Sequence, residues 1–89
     1  NRPNMFVKEL KMYVDYLKNE LENHTEEFTT AQLKKWNAFK SNMLTGIEYY
    51  LDLFDNTNFF AKERIAIQNQ LQFYKIQVQQ IELPVLEQV

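Results

Sequence analysis

A carboxylate pair, one imidazole and one lone serine hydroxyl are the groups of this chain on which chemistry could turn. Glu48 and Asp52 stand four apart, which on a helix places both carboxylates on one face, the spacing of an acid–base or metal-binding couple. In an antiparallel register they come beside Lys62 and Arg64, and that reads as ion pairing. His24 is the single histidine. It lies where a first helix should end, and a cation there suits the helix dipole and caps free carbonyls. Glu20 with His24 does not make the Glu-x-x-His pairs of di-iron bundles. Ser41 is the single serine, and nothing near it or His24 resembles a nucleophile motif. The expectation is a chain with no catalytic, metal-binding or cofactor-binding residues, hence no enzyme.

Composition narrows the classes further. The chain has 89 residues, one glycine and no cysteine. A single glycine excludes Gly-rich phosphate cradles, whose backbone must approach the ligand at several positions. Zero cysteines exclude disulfide frameworks, thiolate catalysis and cysteine-held zinc or iron–sulfur centres. Hydrophobic residues at 45% and charged residues at 25% describe a foldable chain of one helical domain, 1–89, not a disordered one. A net charge of -2 and lysines that come singly or as Lys34-Lys35 argue against nucleic acid as a partner. The least charged stretch, 65–74, is too short and too rich in Gln and Asn to insert into a membrane. No leader is visible, yet the chain starts at Asn1, so trimming or excision from a larger protein is expected. Cytoplasmic location is the default, although absence of cysteine fits any compartment.

Three helices must position these residues. Apolar residues recur at spacings of three and four through nearly the whole chain, the signature of helical faces. The first helix spans about 4–23 with Val7, Leu10, Val14, Leu17 and Leu21, and Pro3 suits its first turn. Thr29-Thr30-Ala31-Gln32 is a capping box, with Phe28 and Leu33 as a hydrophobic staple, so a second helix starts at about 30 and runs to about 55. Its stripe is Leu33, Trp36, Lys40, Met43, Ile47, Tyr50 and Phe54. A polar turn around Thr57, capped by Asn56 or Asn58, leads to a third helix over about 58–83. That helix carries Phe60, Arg64, Ile67, Leu71, Tyr74, Val78 and Ile81, and Pro84 ends it.

The three-four alternation is a heptad-like seam, and short turns force neighbouring helices antiparallel. The expected fold is therefore an all-α, up-down-up three-helix bundle with coiled-coil-like packing. Folding at about Glu27 and Thr57 groups Leu17 with Trp36 and Val78, Leu10 with Met43 and Leu71, and Val7 with Ile47 and Ile67. It also brings Lys34 and Lys35 against Glu20 and Glu22. Lys40 and Arg64 interrupt apolar seams; their stems should pack and their heads reach water, Lys40 beside Tyr74 and Arg64 beside Tyr50. Gly46 is the alternative's pivot: it either admits a close neighbour or breaks the second helix, giving four helices.

More large apolar residues are present than three seams hold. Phe6, Tyr13, Phe39, Leu44, Leu51 and Leu53 flank the seams. Ile65, Phe73, Ile76 and Leu83 instead fall on the outward side of the third helix, among glutamines and Asn69. Across 65–81 the only charged residue is Lys75. Charge depletion with retained aliphatics and aromatics marks the core of an interface. The expected function is accordingly a non-enzymatic helical protein–protein interaction or oligomerisation domain, its partner a protein, most simply a second copy of itself. The alternative is a helical sensor or regulatory bundle that holds a small apolar ligand among Trp36, Met43, Tyr50 and Tyr74.

Overall fold

The computed structural model describes residues 2–24, 26–56 and 62–84. It contains three helices, α1 (Arg2–Asn23), α2 (Thr30–Asn56) and α3 (Arg64–Gln79), and no strand among the described residues. Each helix starts and stops for local reasons. Pro3 sits in the first turn of α1 and is fully buried. The capping box opens α2 as its sequence dictates: the Gln32 N–H donates to the Thr29 hydroxyl at 3.1 Å, and the Thr29 N–H donates to Gln32 Oε1 at 2.9 Å. Leu33 is buried, and Phe28 packs against the core. Asn56 closes α2 instead of opening α3, its side-chain amide donating to the Asp52 carbonyl at 2.8 Å. Asn58 and Phe60 lie outside the described residues.

Cross-helix contacts fix an up-down-up topology. Phe6 of α1 meets Tyr50 of α2, Tyr13 meets Phe39, and Tyr16 meets Trp36, so α1 and α2 are antiparallel. Lys40 and Glu48 of α2 reach Ile81 and Lys75, so α2 and α3 are antiparallel too. Asn4 bonds Glu63 and Lys18 bonds Gln77, which makes α1 and α3 parallel neighbours. α3 packs closely against both other helices, whereas α1 and α2 approach each other less.

The core is the set of seams read from the periodicity. Val7, Leu10, Val14 and Leu17 from α1, Leu33, Trp36, Met43, Ile47 and Phe54 from α2, and Ile67, Leu71 and Val78 from α3 are buried, with Ile81 just beyond α3. Leu51, expected only to flank the seam, is buried as well. Tyr13, expected to be partly buried, is exposed.

α2 is continuous through Gly46, so the four-helix alternative does not hold. Gly46 serves close packing: an ideal Cβ there would lie 2.6 Å from Phe6 Cζ. The Phe6 ring thus rests on the α2 backbone with Tyr50 as its other neighbour, ring centroids 4.8 Å apart.

Three expectations need correction. First, α3 is shorter than 58–83. Lys62 and Glu63 form a turn, and the helix stops at Gln79. Pro84 has no N–H, and it pushes the residue before it out of the helical region, so the chain leaves the helix ahead of it. A last, tighter bond from the Ile81 N–H to the Val78 carbonyl, 3.2 Å, finishes the end. Second, two side chains of α2 find partners further along α3 than expected. The sequence puts Lys40 level with Tyr74 and Glu48 beside Lys62 and Arg64. In the structure Lys40 Nζ donates to the Ile81 carbonyl at 2.7 Å, and Glu48 pairs with Lys75 at 2.5 Å. Long lysine and glutamate side chains reach along the helices to these partners. Third, among the described residues no ion pair joins Lys34 or Lys35 to Glu20 or Glu22; Lys35 lies over the Trp36 ring instead, 5.6 Å from its centre.

Candidate interaction surface

The face of α3 opposite Ile67, Leu71 and Val78 points away from both other helices. Ile65 is 72% exposed, Phe73 55% and Ile76 51%. Asn69, Gln72, Gln79 and Gln80 are exposed with them. The periodicity explains why: with α1 and α2 both packed on one side of α3, positions half a helical turn away have nothing to cover them.

The polar residues at the margins of this face are tied down to the bundle. Lys75 is held by Glu48 on the α2 side. Gln77 accepts from Lys18 Nζ at 2.6 Å on the α1 side. Phe73 is steadied by the half-buried Tyr74, their rings edge to face with centroids 5.2 Å apart. The stripe itself carries no formal charge between Arg64 and Glu82 apart from Lys75.

Leu83 does not belong to it. On a helix continued to residue 83 it would face outward. Because α3 stops at Gln79, the chain turns Leu83 inward, half-buried against the core. The structure therefore groups three of the four expected surface residues.

A further apolar stripe escaped the sequence reading. Met5, Met12 and Tyr16 are exposed on the outward side of α1, and Tyr49 is exposed on α2. The spacing of seven and four was there to be seen. Lys8, Glu9, Lys11 and Asp15 stand among the α1 residues, so this face is solvated like an ordinary helix exterior, unlike that of α3.

The residues with chemical potential are dispersed. Glu48 is engaged by Lys75, and Asp52 is exposed on the same helix. Ser41 is exposed on α2, and His24 lies just past the end of α1. His24 does not cap α1. Asn23 does so instead, its side-chain amide donating to the Asn19 carbonyl at 2.9 Å. α1 ends at Asn23, and the chain then carries the imidazole flat onto Phe28, ring centroids 3.8 Å apart and 7° from parallel. His24 Nε2 is buried without a hydrogen-bond partner among the described residues. Among those residues no three His, Asp or Glu side chains come together as metal ligands.

Lys40 and Arg64 are half-buried, as snorkelling side chains should be. Trp36 and Met43 are packed in the core, Tyr50 and Tyr74 against it. A cavity of about 360 Å³ lies between the C-terminal ends of α1 and α3, lined by Lys18, Glu22, Gln77 and Glu82 with Leu21 and Ile81. Another, of about 340 Å³, is lined by Asn19, Glu20, Asn23, His24 and Glu26. Neither is lined by the four residues expected to hold an apolar ligand. No described helix is long and apolar enough to cross a membrane. Comparison with protein-family models, curated proteins and solved structures finds no match to this chain.

Proposed function

We propose that the chain is a non-enzymatic helical protein–protein interaction domain whose binding surface is the outer face of α3. One observation carries the reading: Ile65, Phe73 and Ile76 are exposed on a face whose flanking polar groups, Lys75 and Gln77, are turned away to neighbouring helices. Leaving large apolar groups in water without interspersed charge favours burial against a partner. Each fully buried side chain of this size returns roughly 1.5–3 kcal/mol of transfer free energy.

The test is the double variant Phe73→Glu with Ile76→Glu. Immobilised wild-type chain should retain a protein partner, and the double variant should lose it while its circular dichroism stays unchanged. Loss of an anchor at an interface centre costs about 1–2 kcal/mol or more of binding. If the double variant unfolds, the two residues belong to the domain's own core and the reading fails. It fails equally if wild type and variant retain the same proteins.

A further inference from the structure

We infer that the partner seated on α3 is a second copy of this chain, with the two α3 helices antiparallel across a two-fold axis. This rests on the interaction reading above and adds the partner and its register. The polar groups on the face choose the occupant. In a two-fold pairing each surface meets itself, so a face rich in one sign of charge repels its own copy. Here the exposed polar groups of the stripe are amides, Asn69 and Gln72 between the two isoleucines and Gln79 and Gln80 beyond them. An amide is donor and acceptor at once, so it is satisfied by another amide, which lysine or glutamate cannot do for its own kind. A charged partner would find no countercharge on this stripe, because the nearby Lys75 is already taken by Glu48.

Spacing then sets the register. Ile65, Asn69, Gln72 and Ile76 follow one another at intervals of four, three and four, a single helical face. Reversing the sequence of these intervals gives the same sequence. Antiparallel copies therefore bring Ile65 onto the partner's Ile76 at both ends, and Asn69 onto the partner's Gln72 in the middle. Phe73 closes the side of each apolar end. Polar amides at the centre of such a seam fix orientation, since any slip strands them against isoleucine.

The pairing is modest in strength. α3 has 16 residues, so the shared seam is about 24 Å long. One helix pair of that length falls below the roughly 1,200 Å² of a standard stable interface, which is the class of weak, transient pairings, and a dissociation constant of about 10 µM to 1 mM is expected.

Sedimentation velocity from about 5 µM to 1 mM reads this directly. The mean mass should rise from 10.8 kDa toward twice that value in wild type, and stay at 10.8 kDa in Ile76→Glu. Ile65→Lys combined with Ile76→Glu should restore dimerisation, because antiparallel copies then face Lys to Glu at both ends, whereas parallel copies face like charges. Since the chain has no cysteine, an equimolar mixture of Asn69→Cys chains and Gln72→Cys chains, oxidised with diamide, gives a second measurement. It should form disulfide-linked dimers at least about ten times faster than the outward-facing control Ser41→Cys, as sulfurs held near bonding distance do. Wild type that stays monomeric at the highest concentration overturns self-pairing. So does cross-linking no faster than the control, and a charge-swapped double variant weaker than Ile76→Glu overturns the antiparallel register. The bait experiment above judges the interaction surface separately, because a monomeric wild type that still retains a partner through Phe73 and Ile76 removes only the second copy.

Discussion

Replacing Gly46 by alanine sets two known effects against each other at one atom. In an ordinary helix interior the change stabilises by about 1 kcal/mol, because glycine gives up more backbone freedom on folding. Here the new methyl group would lie 2.6 Å from Phe6 Cζ and 2.9 Å from Cε1. The tip of the ring must shift to make room, and Tyr50 stands against one side of it with centroids 4.8 Å apart. Forcing a methyl group into such a contact costs about 1–3 kcal/mol. The net expectation for Gly46→Ala is therefore a loss of about 0–2 kcal/mol. Removing the ring removes the conflict: in a Phe6→Ala background the same substitution should stabilise by about 1 kcal/mol. The sign reversal is the diagnostic, and the double-mutant cycle should give a coupling of about 1–3 kcal/mol. Urea unfolding followed by helical circular dichroism measures all four chains, with an unchanged m-value confirming that the unfolded state is comparable. Equal stabilisation in both backgrounds would show that Phe6 does not rest on the α2 backbone, and the packing of α1 on α2 would have to be redrawn.

Two further stability outcomes follow from the same structure. Leu17 is 0% exposed between the helices, so Leu17→Ala should cost about 2–5 kcal/mol by calorimetry or denaturant unfolding; a loss below about 0.5 kcal/mol would contradict its burial. Thr29 supplies the N-cap hydroxyl of α2, so Thr29→Ala should cost about 0.5–2 kcal/mol while the neighbouring exposed Thr30→Ala costs little, and the opposite ranking would move the start of the helix.

The parts of this fold readable from sequence are those set by neighbours a few residues away. Thr29 and Gln32 meet within one turn, so their spacing was enough to place the start of α2. Leu10, Leu17, Ile47 and Leu71 recur at helical intervals, and a repeating interval has one buried side to point at. What failed depended on distances the periodicity does not carry. Lys40 and Glu48 find partners further along α3 than the helical wheel suggests, because their long side chains reach along the helix axis. Leu83 was misplaced for a related reason: a helical wheel assigns a side to any residue, even one beyond the point where Pro84 has ended the helix. For the candidate surface, Ile65, Phe73 and Ile76 were legible because exposure is the complement of a well-defined seam. The stripe of Met5, Met12 and Tyr16 was not, since its charged neighbours hide it in a composition count.

The parallel contact of α1 with α3 has a kinetic consequence. Asn4 with Glu63 and Lys18 with Gln77 join positions 59 residues apart, and closing so long a loop must precede any reward from the contacts it brings. The α2–α3 hairpin closes over a much shorter stretch, so it forms first and offers α1 a groove in which to dock. α1 and α2 meet chiefly through the ring pairs Phe6–Tyr50, Tyr13–Phe39 and Tyr16–Trp36, so much of their apolar surface stays uncovered until the third helix arrives. Folding is thus decided at the C-terminal half. During synthesis from the N-terminus, α1 waits with apolar surface uncovered until α3 has been made.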